Sequence, residues 1–290
     1  MKKLISLFLS VSVLLLAACS KQPDTASTEQ KGDAALQTVV IASTGSDADI
    51  WRYIAILPET KAAGLKLEIK NFTDYVAMNT AAANKEVDLN AFQSYAYLVA
   101  FNAANKDKIA PVSTTYLEPM GIYSSKVKKV EEFAEGATIA IPNDGANESR
   151  ALLLLQSAGL IKLKADFDPV KGTPADIIEN SKKIVIKPIQ MATAVRVKDE
   201  VDAILLGNTL AMEGGLNVLK DAIYYEPVDQ STKLNVNVLA TAESRKDDAV
   251  LQKVGALYHT EAVKQYVQEH FAGTKVDVNK PTSYLTEANS

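Results

Sequence analysis

The chain has 290 residues, 47% of them hydrophobic and 23% charged, with a formal net charge of −4. That is enough apolar material for one large domain or two of about 100–150 residues each. The mild negative charge is scattered and no basic patch with interleaved aromatics occurs, which argues against nucleic acid. A single cysteine excludes a disulfide framework, and two histidines without paired spacing leave no metal cluster.

The chain opens with Lys2 and Lys3, an apolar run over 4–16, and then Leu16-Ala17-Ala18-Cys19. The run is too short to span a bilayer comfortably and is flanked like an export signal. Small residues directly before a cysteine form a lipobox, so residues 1–18 are expected to be a lipoprotein signal peptide and Cys19 the acylated residue. Acyl chains hold a protein at a membrane surface without crossing it. Residues 19–36 offer little to bury and are expected to be a disordered tether. No later apolar run reaches the roughly 20 residues needed to cross a membrane.

From there strands and helices alternate. Residues 38–43 (TVVIAS) read as a buried strand. Ser46 is placed to cap a helix, with Asp49 completing a capping box, and Ile50, Tyr53, Ile54 and Leu57 recur at helical spacing. Pro58 interrupts it. Residues 65–69 alternate as a strand, 75–84 form a helix, 87–89 a short strand and 93–104 another helix. Residues 110–115 and 120–123 are extended. Residues 138–141 form a strand and 147–158 a helix ended by Gly159. Thr173-Pro174 opens a helix. Then come a strand at 184–186, a helix at 190–197 and strands at 203–206 and 236–240. Helices at 247–258 and 261–271 follow. This order implies an α/β fold with mainly parallel sheet, enough for two sheets. In such sheets ligands bind beyond the carboxyl ends of the strands.

Catalytic machinery is not evident. There is no G-x-S-x-G elbow, P-loop or G-x-G-x-x-G fingerprint. His259 and His270 read as solvated groups of the last helices. No catalytic residue, metal or cofactor is assigned. Two features suit binding instead. Residues 141–150 (IPNDGANESR) join a strand, a turn-rich loop and a helix start, where free N–H groups favour an anion. Arg150 would lie in the first turn, against the helix dipole, with a planar fork suited to a carboxylate. Pairing with Asp144 or Glu148 is the competing reading, and the two stand level. The second feature is the aromatic set Tyr75, Phe92 and Tyr97, which either walls an apolar pocket or packs in the core, with spacing favouring the core.

Taken together, several stretches resemble the methionine-binding lipoproteins, the NlpA or MetQ family of ABC-importer binding proteins. They are Phe72-Thr73-Asp74-Tyr75-Val76, Phe92-Gln93-x-x-x-Tyr97-Leu98, Pro119-Met120-Gly121-Ile122-Tyr123-Ser124, and Ala140-Ile141-Pro142-Asn143-Asp144 with Asn147 and Arg150. They are collinear, and the likeness runs over 39–271. The resemblance implies a periplasmic-binding-protein-like fold, two α/β lobes joined by two crossovers with the ligand cleft between them. Lobe I would comprise 37–119 plus 230–290, and lobe II 120–229. It implies that Arg150 meets a ligand carboxylate with Asn147 assisting, and that Tyr75, Phe92 and Tyr97 surround the ligand side chain. It further implies a protein held to the extracytoplasmic side of a membrane by its lipid, serving an ABC permease and its ATPase with a small amino acid; a monomer is expected, although the sequence carries no sign of oligomeric state. Two positions depart from the family, which usually has histidine at Ser94 and asparagine at Gly207, where it helps hold the ligand amine. Asn208 is one residue out of register for that contact. These departures leave open a different apolar amino acid, a methionine derivative or a short peptide. A surface lipoprotein without transport is the reading from another class.

Overall fold

The structure is a computed structural model that describes residues 35–227 and 230–287. The expected signal peptide, Cys19 and all but the end of the expected tether lie outside the described residues. The chain begins β1 (Gln37–Ser43), α1 (Gly45–Ile56), α2 (Pro58–Ala62), β2 (Leu65–Asn71), α3 (Tyr75–Ala83), β3 (Leu89–Ser94) and α4 (Tyr95–Ala104). It continues through β4 (Ile109–Thr114), β5 (Tyr116–Leu117), β6 (Met120–Tyr123), β7 (Thr138–Pro142) and α5 (Gly145–Ser157). Then come β8 (Lys162–Leu163), β9 (Ile177–Glu179), β10 (Val185–Ile189), β11 (Ala203–Gly207), α6 (Asn208–Glu213), α7 (Val218–Asp221) and β12 (Tyr224–Tyr225). Last are β13 (Asn237–Ala242), α8 (Ala249–Tyr258), α9 (Glu261–Phe271) and β14 (Val276–Asp277). No described helix is long and apolar enough to cross a membrane.

Two five-stranded sheets organise these elements, one ordered β2-β1-β3-β13-β4 and the other β10-β7-β11-β6-β12. They are the centres of two lobes. The chain crosses between them after β5 and returns after β12. Each sheet is covered on both faces, which is why its inner strands are buried nearly throughout, while the edge strands β2 and β10 keep exposed positions. In the first lobe Ile50, Trp51, Ile54, Leu251 and Val263 cover one face, and Met78, Ala81, Leu98 and Phe101 the other. In the second, Leu152 and Leu155 lie on one face, Ala194, Ala211 and Val218 on the other.

The sheets are mixed, not mainly parallel. β1 pairs parallel with β2 and β3, and β7 parallel with β10 and β11. β13, returning from the second lobe, inserts antiparallel between β3 and β4, and β6 runs antiparallel to β11. Antiparallel insertion follows from the crossings, which bring distant chain into each sheet from the opposite direction. It also lengthens β3. Gln93 and Ser94 pair with Val238 and Asn237, so these residues are strand, and the next helix starts at Tyr95 rather than 93.

Helix caps account for the remaining differences. The cap of α1 is Thr44, not Ser46, because the helix already starts at Gly45. Ser46 Oγ is buried without a partner among the described residues. Asp144 caps α5 by accepting from the Asn147 backbone N–H, and Gly159 follows the helix with φ +73°, a conformation that costs glycine little. Thr173 and Asp176 form a capping box, but the helix is a single 3₁₀ turn at Pro174–Asp176 before β9. Met191–Val197 is likewise 3₁₀. His259 is not solvated. Its Nδ1 lies 2.6 Å from Asp277 Oδ1 and its Nε2 2.9 Å from the Thr114 carbonyl. His270 is exposed and stacks on Tyr266.

Asp202 joins three strands of the second sheet at their edge. Its Oδ2 accepts from Thr138 N–H at 2.8 Å, its carbonyl accepts from Ser124 Oγ, and Lys126 pairs with Oδ1. The Thr138 N–H, aided by Lys126, holds its carboxyl below the ordinary value. A lowered carboxyl stabilises the fold fully above the unfolded-state value, near ~3.9, and loses that contribution as pH falls through the folded one. Asp202→Ala is therefore expected to cost ~1 kcal/mol at neutral pH. The urea midpoints of the two proteins should converge as the medium is acidified past that window.

Candidate ligand-binding cleft

Four strands deliver their carboxyl ends to one place. β1 runs into Thr44 and α1, β3 into Ser94 and α4, β7 into Asp144 and α5, and β11 into Gly207 and α6. Between the sheets these junctions line an open cleft with about 580 Å³ of empty space, part of it continuous with solvent. Tyr75, Phe92, Ser94, Tyr97, Asn147, Arg150 and Gly207 all line it. Asn208 does not. Its side chain turns away from the cleft and is fully buried, donating to Thr274 Oγ1 at 2.9 Å and to Glu118 Oε2 at 3.3 Å. The reason is helical. α6 begins at Asn208, so its side chain follows the helix into the protein while the Gly207 backbone faces the cavity.

The three rings form one wall. Tyr75 and Phe92 have centroids 5.1 Å apart, and Tyr97 meets both edge-on at 6.2 and 5.9 Å. All three are half-buried; Tyr75 and Phe92 also pack against the core of the first lobe and Tyr97 against the small cluster of Ala96, Ala146 and Val170, so wall and core readings are both satisfied. Burial raises the phenols of Tyr75 and Tyr97, leaving them neutral hydrogen-bonding groups. Met191 and Leu210 of the second lobe complete the apolar lining.

Behind the wall lies a buried amide cluster. Asn79 Nδ2 donates to Gln93 Oε1, while Asn90 Nδ2 and Gln93 Nε2 both donate to Asn79 Oδ1. Gln93 Nε2 also reaches Asn90 Oδ1. The three side chains satisfy one another in a site closed to water. Gln93 reaches the cavity, and the cluster ties α3, which carries Tyr75, to β3, which carries Phe92.

Arg150 is paired, but neither with Asp144 nor with Glu148. Its Nε lies 2.9 and 3.1 Å from the two Glu226 oxygens, and its Nη2 lies 2.6 Å from Glu226 Oε2 and 2.8 Å from the Glu118 carbonyl. Glu226 also accepts from Met120 N–H. Glu118 belongs to the outgoing crossover, Met120 begins β6 and Glu226 belongs to the returning crossover, so the pair fastens both connections. Nη1 has no hydrogen bond to any described residue. α5 starts at Gly145, two residues earlier than its sequence suggests, which puts Arg150 in the second turn and weakens the dipole argument.

A second charged group was not foreseen from the sequence. Lys275, with its side chain wholly buried, donates to Asp47 Oδ1 at 3.0 Å, Glu118 Oε2 at 2.9 Å and Thr209 Oγ1 at 2.8 Å. It sits 3.8 Å from the centroid of the Tyr116 ring. Asp47, Glu118 and Thr209 all line the cavity, as does Asn237 from the start of β13. Burial raises Asp47 despite Lys275. Burial also opposes ionisation of Glu118, but Lys275, Asn208 and Arg150 outweigh it and hold that carboxyl below its ordinary value. The one local signal for Glu118 was its place beside Pro119-Met120-Gly121. Lys275 and Glu226 carried none.

Two α/β lobes meeting at strand ends around a polar and aromatic cleft define the class of bilobal binding proteins. The NlpA lipoprotein family model matches residues 39–279, and the chain belongs to that family. A probable D-methionine-binding lipoprotein MetQ of Pasteurella multocida is 34% identical over 271 residues, covering 93% of this chain and 96% of that one. Outer membrane lipoprotein 2 of Mannheimia haemolytica is 38% identical over 277 residues, 94% of this chain and 97% of its own. The structure of a nutrient binding protein from Burkholderia cenocepacia bound to methionine is similar, with a TM-score of 0.76 at 34% identity over 82% of this chain and 99% of that one.

Proposed function

We propose that this chain is a lipid-anchored, extracytoplasmic substrate-binding protein that captures methionine or a close relative and presents it to an ABC permease and its ATPase. It works as a monomer and not as an enzyme. The lobes comprise 37–119 with 230–290, and 120–229. The observation that carries the reading is the juxtaposition in one cavity of a three-ring apolar wall with both signs of charge. A thioether side chain fits against Tyr75, Phe92 and Tyr97, since sulfur makes favourable contacts with ring edges. The ligand ammonium is received by Glu118 and Asp47. Its carboxylate is received by the unused Nη1 of Arg150, with Asn147 beside it. The names of the relatives in Pasteurella multocida and Burkholderia cenocepacia support the ligand class.

Calorimetry on ligand-stripped protein tests this directly. Saturable binding of methionine with a raised unfolding temperature is expected, because a ligand specific for the native state stabilises it. Absence of both for every amino acid and methionine-containing dipeptide would refute it.

Gly207 favours a ligand somewhat larger than a free amino acid as a second reading. A β-carbon built there meets nothing within 4 Å, so the cavity has unfilled room at the position where the family carries asparagine. Gly207→Asn is expected to fold normally, since φ is −63° and a β-carbon there meets nothing within 4 Å. Its amide would add a hydrogen bond to the ligand amine and raise affinity for free methionine ~5- to 10-fold. Unchanged or weakened binding in a titration would favour the larger ligand.

A further inference from the structure

Lys275 is far from every segment the sequence marks as functional, and its side chain is sealed from water, so it does not touch a ligand. An ammonium in that position must satisfy three donors, and it does so on Asp47, Glu118 and Thr209. These come from different parts of the molecule: α1 of the first lobe, the outgoing crossover, and α6 of the second lobe. The lysine takes one oxygen from each carboxylate. Asp47 Oδ1 also accepts from Tyr116 Oη at 2.6 Å, while Oδ2 has no hydrogen bond to a described residue. Glu118 Oε2 also accepts from Thr209 Oγ1 and Asn208, while Oε1 has one long contact of 3.3 Å to Thr209 N–H. Asp47 Oδ2 is thus free to accept, and Glu118 Oε1, with its single long contact, keeps acceptor capacity.

The charges do not balance. Glu226 is matched by Arg150, so Asp47 and Glu118 share the single cation Lys275 and leave one negative charge over. A buried excess charge is costly unless a partner arrives. We propose that Lys275 is a positioning residue of the cleft, holding the Asp47 and Glu118 carboxylates so that Asp47 Oδ2 and Glu118 Oε1 converge on the ammonium of the ligand. This rests on the reading of the cleft as an amino-acid site. The ligand ammonium is the missing cation, and the lysine is what keeps the two acids apart and aimed when the cleft is empty.

The test is calorimetry on the ligand-stripped full chain with L-methionine and N-acetyl-L-methionine, alongside thermal unfolding. Lys275→Met is expected to bind L-methionine ~10- to 100-fold more weakly while affinity for the N-acetylated compound, which has no ammonium, changes less than about two-fold. An equal loss for both ligands, or no loss for either, overturns the proposal, since a merely structural lysine would not distinguish them. If Lys275→Met does not fold, the charge-balanced pair decides. Asp47→Asn/Lys275→Met should bind L-methionine ~10-fold more weakly than Asp47→Asn alone, and equal affinity overturns the proposal. Wild type that binds both ligands equally would remove the ammonium contact but leave the methionine reading standing. Wild type that binds neither would refute the reading of the cleft itself, and the positioning role with it.

Discussion

Arg150→Ala is expected to lower unfolding stability by ~3–5 kcal/mol and to weaken carboxylate ligands at least ~100-fold. The stability loss comes from Glu226, which is buried and would be left charged without its cation. Removing one partner of a buried pair costs more than the pair itself contributes, because desolvation of the survivor is no longer offset. The affinity loss comes from the guanidinium, which lines the cavity and whose Nη1 has no hydrogen bond to a described residue. The two effects are separable. In Arg150→Met/Glu226→Gln no charge is stranded, and the glutamine oxygen can still accept from Met120 N–H, so most of the stability should return. Affinity should not return, because no cation remains for the ligand carboxylate. Urea unfolding and calorimetry on the three proteins give both quantities. Affinity recovered together with stability would remove Arg150 from the site and make it a fastener of the two crossovers alone.

The second large effect is expected at a residue with no charge and no ligand contact. Asn79→Ala should cost ~2–4 kcal/mol, because it strands Asn90 Nδ2 and Gln93 Oε1 in a buried site, while Gln93 Nε2 keeps only its bond to Asn90 Oδ1. Asn79→Leu should do no better, since volume is restored but hydrogen bonds are not. Ligand affinity should fall as well, by ~3- to 10-fold, since the cluster fixes α3 against β3 and with them the spacing of Tyr75 and Phe92. Denaturant titration measures the first expectation and ligand titration the second. Near-native stability of Asn79→Ala would mean that water enters the cluster and that it does not set the ring wall.

Much of this protein was legible in one dimension. The order of strands and helices and the terminator at Gly159 depend on residues close together in the chain, and such signals survive in sequence. So did the cleft residues that sit at strand–helix junctions, because an α/β sheet brings those junctions together wherever it forms. Collinear motifs did the rest, carrying the two-lobed class and the family.

What the sequence did not carry was pairing over distance. β13 enters the first sheet antiparallel, lengthens β3 and moves the start of α4, although nothing near residue 93 announces it. Arg150 finds its counter-ion 76 residues away, and Lys275 reaches Asp47 across 228. Whether a charged side chain is a solvated surface group or a sealed part of a binding site is decided by desolvation. Desolvation exists only once the lobes have folded and the returning chain has packed against them.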